Sequence, residues 1–315
     1  MKILTGVCIC LVAAACGMVN RNPVCTEASL RNTTTQDTLR FFALGDWGRN
    51  GAHKQKKLAN AMEQSAAEKR IDFVISLGDN FYPDGVSSMN DKQWQKSFEK
   101  IYTGPNLKSI PWYAALGNHD YLSDPTAEIA YSKKCSRWFM PDYFYTVIMP
   151  MKTGSVRLVV IDTNPFEKRS YKNPKFDGKF VIDSTQQKHW MDSVLSLNDT
   201  DWTIVSGHHP LYTGGRRVNE KNWVRASLLP LFNKHNVRIY FSGHEHDLQH
   251  LVLPDSLHQF ISGAGSELRP TGSMEFTRFA QSVNGFISVE LTRDFMDIHI
   301  INYKRDTLYQ TRIIR

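Results

Sequence analysis

The side chains best suited to hold metal ions stand in short clusters scattered from residue 46 to residue 246: LGDWG, LGDNFY, LGNHD, SGHHP and SGHEH. They supply Asp46, Asp79 with Tyr82, Asn118, His208, and His244 with His246. Every cluster follows an apolar, strand-like run and places a small residue just before its polar one. A carboxylate at the end of a buried strand is costly unless a cation or hydrogen bonds meet it. Alone, either aspartate would pass for an ordinary turn or helix cap. In the company of imidazoles, an amide oxygen and a phenol, the two carboxylates point to a pair of metal ions. Paired metals polarise phosphoryl oxygens and activate water, so hydrolysis of phosphate esters is the chemistry to expect.

Residues so far apart meet only if their strands end side by side. Periodicity predicts a strand over 40–44, a helix over 54–68 with Leu58, Met62 and Ala66 on one face, and a strand over 73–77. A second helix over 92–102 would carry Trp94, Phe98 and Ile101 on one stripe, and a third strand covers 112–116. This βαβαβ opening argues for an α/β fold. Strands over 143–149 and 156–162 read as a pair, Ser184 with Gln187 reads as a capping box for a helix ending at Leu197, and a strand covers 203–206. A further helix and strand precede His244. The tail, 259–313, holds four β runs without a helix between them and is expected to form a mixed sheet stacked against the first. The polar clusters therefore fall in loops at the carboxyl ends of strands, where open α/β sheets collect their ligands.

With 315 residues, 41% hydrophobic and 11% aromatic, the chain can bury a sizeable core, and one domain over 39–315 is expected. Ahead of it, Lys2 and the apolar run 3–15 read as an export signal, shorter than the roughly 20 residues that span a bilayer. Ala13, Ala14 and Ala15 suit a signal peptidase, and Cys16 is similar to the lipid-modified cysteine of bacterial lipoproteins. Ala13 stands where a lipobox usually carries Leu, so membrane anchoring through Cys16 and simple secretion both remain readings, with 16–38 as a tether. Once the signal is removed, Cys25 and Cys135 remain within the mature chain, as one disulfide or two thiols. The net charge of +7 is dispersed, which suits anionic substrates. No Lys/Arg block interleaved with aromatics marks a nucleic-acid reader, and a monomer is expected.

The order D…GDN…GNHD…H…GHxH, running from Phe41 to His246, resembles the metallophosphoesterase, or calcineurin-like, superfamily. Most of that superfamily carries D-x-H at the first cluster, whereas here Asp46 is followed by Trp47 and Gly48, and Tyr82 in GDNFY supplies the missing ligand. GDWG with GDNFY resembles the purple acid phosphatases, and FISGAG at 260–265, GFISVEL at 285–291 and the terminal TRIIR are similar to their small tartrate-resistant, mammalian-type form.

The resemblance implies a four-layer αββα sandwich of mixed sheets, with the metal site at strand ends. It implies a ferric ion on Asp46, Asp79, Tyr82 and His246, and a divalent iron, zinc or manganese ion on Asp79, Asn118, His208 and His244, with Asp79 bridging. His119 would protonate the leaving alkoxide or bind phosphate, and Asp120 would orient His119. The family often reads GHYP where this chain has GHHP, so His209 is a phosphate ligand, a second acid or a surface substitution. Residues 211–221 hold no histidine, which leaves proton donation to His119. Arg49 reads as a phosphate contact or as an exposed arginine, and 165–180 with 210–221 are the expected pocket walls. The implied function is an exported acid phosphatase of phosphate monoesters. A phosphodiesterase or nucleotidase using the same metals is the nearest rival, and a surface binding protein with structural metals is the rival from another class.

Overall fold

Strands rich in β-branched and aromatic residues, buried on both faces, form the centre of the molecule. The computed structural model describes residues 27–29, 36–168, 173–180 and 183–315. The expected export segment, Cys16 and Cys25 lie outside the described residues. Along the chain come β1 (Glu27–Ser29), β2 (Leu39–Leu44), α1 (Gln55–Glu68), β3 (Phe73–Leu77), β4 (Trp112–Ala115), α2 (Pro125–Tyr131), β5 (Trp138–Phe139), β6 (Tyr145–Met151) and β7 (Gly154–Val160). Then follow α3 (Ser184–Leu195), β8 (Trp202–Ser206), α4 (Trp223–Lys234), β9 (Ile239–Ser242), β10 (Leu248–Val252) and β11 (His258–Ser262). The last four strands are β12 (Thr277–Gln281), β13 (Gly285–Leu291), β14 (Phe295–Asn302) and β15 (Thr307–Ile314).

Two mixed sheets, flanked by helices, make the expected sandwich. One runs β15-β14-β13-β2-β3-β4-β5, the other β1-β6-β7-β8-β9-β11-β10-β12. Within the first, β2, β3 and β4 are parallel neighbours, and within the second β7, β8 and β9 are. Those central strands bring the loops after β2, β3, β4, β8 and β9 to a common edge. The sheets meet through aromatic rings: Phe41 of β2 stacks on Phe73 of β3 at 4.8 Å and meets Phe241 of β9 edge-on at 6.0 Å. Gly45 N–H donates to Ser262 O at 2.7 Å, and Ser262 Oγ to Ala43 O at 2.8 Å, tying β2 to β11 across the two sheets.

Four local expectations need correction. The tail does not form a sheet of its own: β13 pairs antiparallel with β2 and, with β14 and β15, extends the first sheet, while β11 and β12 join the second. The stretch 92–102 holds a π-helical turn at Trp94–Glu99, with Lys100 N–H reaching back to Gln95 O. That wide turn sets Phe98 and Tyr102 against Trp47, at 5.9 and 5.6 Å between ring centres. The cap of α3 is Asp183, whose side chain accepts from Thr185 N–H, and Gln187 turns inward to bond both backbone groups of Asp162. Glu27–Ser29, inside the expected tether, pairs in parallel with Thr146–Ile148 at the edge of the second sheet.

Candidate metal centre

Three residues of the predicted clusters sit in the left-handed backbone region that residues other than glycine seldom adopt: Asp46 at φ 60°, Asp79 at φ 50° and His244 at φ 67°. Each marks the abrupt turn after a strand, β2, β3 and β9 in order. Strain of this kind costs on the order of 1–3 kcal/mol per residue and persists where the surroundings enforce it, most often at functional sites. Close approach explains the small residue before each polar one. A Cβ on Gly117 would lie 2.2 Å from Asp79 Oδ1.

The turned side chains converge as two nests that share Asp79. In the first, Tyr82 Oη lies 2.9 Å from Asp46 Oδ1, 2.8 Å from Asp79 Oδ2 and 3.2 Å from His246 Nε2. In the second, His208 Nε2 lies 3.4 Å from Asp79 Oδ1, 3.3 Å from Asn118 Oδ1 and 3.2 Å from His244 Nδ1. All the residues singled out as metal ligands are thus in one place, and one oxygen of Asp79 faces each nest. A phenol carries one proton, yet here it faces two carboxylate oxygens and an imidazole nitrogen. Its one proton can serve only one of the two carboxylates, the other being left to the His246 ring nitrogen, 3.3 Å from Asp46 Oδ1; it cannot serve both. A cation seated among the four atoms can, so the donor set fits a metal ion.

The surroundings hold these donors in place. His208 Nδ1 is hydrogen-bonded to Leu77 O at 2.8 Å, which puts its hydrogen there and leaves Nε2 facing the centre. Asp46 Oδ2 accepts the His244 backbone N–H at 2.8 Å. His246 Nδ1 is buried with no partner among the described residues. Burial, followed by the charges of Asp46 and Asp79, pushes the Tyr82 phenol well up, so its anion would need a strong cation beside it. Burial, with the neighbouring cationic groups, holds the His244 imidazole well below its usual value and hence neutral. Burial opposes charge on Asp79 and His208 alike, but their mutual attraction outweighs it: Asp79 drops below the carboxylate range and His208 is pushed up to about 9. The proton that pairs them sits where a metal ion would displace it.

His119 lies at the open rim, 28% exposed, with Nε2 4.0 Å from Asp79 Oδ2 and its ring 4.4 Å from that of Tyr82. Its orienting partner is the Pro83 carbonyl on Nδ1, which corrects the expectation that Asp120 plays that part. Asp120 is buried and faces inward. Its carboxylate accepts from the backbone N–H groups of Asn80 at 2.9 Å, Phe81 at 3.1 Å and Gly117 at 2.8 Å, and so clamps the two loops that carry Asp79 and Asn118. Burial, then the Asp79 charge, pushes the Asp120 carboxyl up to about 7. His209 is buried too, so the surface reading of it falls: its ring stands 4.3 Å from that of His244, and Thr163 Oγ1 bonds its Nδ1 at 2.8 Å.

Comparison with known proteins meets this geometry from the other side. The profile of the calcineurin-like phosphoesterases matches residues 39–248, well over half of the chain. Tartrate-resistant acid phosphatase type 5 of Sus scrofa is 33% identical over 310 residues, 90% of this chain and 90% of its own. Purple acid phosphatase 3 of Arabidopsis thaliana is 33% identical, covering 88% of this chain and 80% of its own. The chain belongs to the purple acid phosphatase branch of the calcineurin-like phosphoesterases. Among solved structures, GAP50, the anchor in the inner membrane complex of Plasmodium, superposes with a TM-score of 0.75 at 24% identity, covering 88% of this chain and 89% of that one, which speaks for the fold alone.

Membership in the purple acid phosphatase branch explains the missing D-x-H histidine. A side chain at Gly48 is impossible because its Cβ would lie 1.8 Å from Asn80 O, and Gly48 O instead accepts the Tyr82 N–H at 2.9 Å. The segment that blocks a histidine there is the one that delivers Tyr82. Beside the centre lies a small cleft lined by His209, Pro210, Thr213, Arg217, Lys221 and His244, with Glu167 the one residue it takes from 165–180. Three contributors lay beyond sequence reasoning: Thr163 behind His209, Glu128 accepting from Asn80 Nδ2 at 2.8 Å, and Glu267 paired with Arg49 at 2.7 Å. None carries a local signal, since each acts on a partner far away in the chain.

Proposed function

We propose that this chain is an acid phosphatase acting on phosphate monoesters, with a ferric ion on Asp46, Asp79, Tyr82 and His246 and a divalent iron, zinc or manganese ion on Asp79, Asn118, His208 and His244. The observation that carries the reading is the Tyr82 hydroxyl, set within 3.2 Å of two carboxylate oxygens and an imidazole nitrogen. A hard phenolate beside carboxylates suits a trivalent ion, and the imidazole-rich nest suits a divalent one. When bound, such a pair supplies charge for the phosphate oxygens and lowers the pKa of a water molecule.

The chain's own residues do the rest. His119, with Nδ1 held by the Pro83 carbonyl, carries its second proton on Nε2 and gives it to the departing alkoxide. The leaving group departs on the His119 side of the centre, at the open rim where that ring is 28% exposed. Asp120 keeps the Asp79 and Asn118 loops in register. Export through residues 1–15, with Cys16 as an attachment point or a mere neighbour of the cleavage site, belongs to the same reading, as does a monomer. Among the described residues no helix is long and apolar enough to cross a membrane.

The test is a substrate panel on the purified protein. Faster turnover of p-nitrophenyl phosphate than of bis(p-nitrophenyl) phosphate, with an optimum below neutrality and loss on chelation, is the expected result. Preference for the diester would replace the monoesterase reading with a phosphodiesterase. No turnover of either, with function unaltered in Asn118→Ala, would leave a binding protein on a phosphatase fold.

A further inference from the structure

Arg49 lies against the ring of Tyr82, its guanidinium carbon 3.7 Å from the ring centre. Its Nη2 pairs with Glu267 Oε2 at 2.7 Å, and its side chain is 18% exposed against 44% for Glu267. Arg49 Nε is buried and has no hydrogen-bond partner among the described residues. The guanidinium is thus held from two sides, by the Glu267 carboxylate at Nη2 and by the phenol ring it lies over. Neither sequence reading of Arg49, a phosphate contact or a free surface charge, describes this arrangement.

Of the proposed iron ligands, Tyr82 is the one whose electrons would give the centre its colour. We infer that Arg49 is a positioning residue that tunes the ferric site through Tyr82, with Glu267 as its counterweight. This rests on the ferric tyrosinate reading above. A positive charge over the ring face lowers the energy of the ring's π electrons. Visible absorption of a ferric tyrosinate moves one of those electrons to iron, so the guanidinium raises the energy of that transfer. The same charge attracts the electron added when iron is reduced, and so raises the reduction potential. Glu267 cancels part of both effects.

The experiment compares the visible band and the iron reduction potential in the metal-loaded wild type, Arg49→Gln and Glu267→Gln. Removing the cation should move the band to longer wavelength and lower the potential. Removing the carboxylate should move both in the opposite direction, a pattern that a merely structural role for Arg49 would not produce. A purple wild type with the band unmoved in both variants overturns this inference and leaves the ferric reading standing. A wild type with no visible band overturns both. Should Arg49→Gln fail to load iron, Glu267→Gln decides alone, because its side chain is the more exposed of the two and touches none of the proposed iron ligands: a shift to shorter wavelength supports the inference and an unmoved band overturns it.

Discussion

Asp79 is the residue on which both halves of the centre depend, one carboxylate oxygen facing Tyr82 and the other His208. Its importance was legible in the sequence because few side chains bind metals and a buried carboxylate needs a reason. The same logic found Tyr82, Asn118 and the histidines. It could not find what fixes them, because a hydrogen bond such as Asp120 to the Asn80 backbone has no signature at either position. His119 shows the limit well: the residue was legible, its orienting partner was not. Replacing it tests its role. His119→Asn should lower kcat by about 10²- to 10⁴-fold, the usual contribution of a general acid, with metal content unchanged. Equal metal content and near-normal kcat, in steady-state kinetics alongside elemental analysis, would remove His119 from the reaction.

At the scale of elements, the strands and helices that carry the clusters were readable from periodicity, and the positions that were not are set by distant partners. Ser184 and Gln187 have the spacing of a capping box, but Gln187 is drawn inward to the Asp162 backbone and Asp183 caps α3 instead. Asp183→Ala should therefore cost about 1 kcal/mol in a denaturant titration, the typical value for a lost cap, and Ser184→Ala much less. Equal losses would restore the capping box. The allotment of the tail strands was equally hidden, since β13 finds its partner β2 at the other end of the chain. In the loops the decisive quantity is room. With Asp79 Oδ1 at 2.2 Å from any Cβ on residue 117, Gly117→Ala should abolish metal uptake while the secondary structure seen by circular dichroism persists. Full metal loading of that variant would contradict the close packing of the two loops.

The whole molecule is two sheets closed face to face, and their far edge carries a feature unrelated to the metal centre. His250 of β10 stacks on Phe260 at 4.2 Å and bonds His258 Nδ1 at 3.1 Å and Tyr309 Oη at 3.0 Å. Burial, followed by the His258 charge, lowers the His250 imidazole to about 3, and burial with nearby Arg238 lowers His258 to about 4. An unfolded histidine titrates near 6.5, so from pH ~6.5 down to about 4 for His258 and about 3 for His250 the unfolded chain takes up protons that the folded chain refuses. Stability from this pair is present above that window and is lost as the pH falls through it. The carboxyls of Asp120 and Asp247, pushed up to about 7, act in the opposite sense, so a variant is needed to isolate the histidines. The fall in melting temperature from pH 7 to pH 4.5 should be smaller in His250→Gln than in the wild type. An identical fall would show that the edge cluster does not sense acid.

The most direct test of the central claim is the metal content and visible spectrum of the wild-type protein beside Tyr82→Phe. The account predicts two metal ions per chain, one of them iron, and a purple band that the variant loses. A colourless wild type, or a band that survives without the Tyr82 hydroxyl, would contradict it.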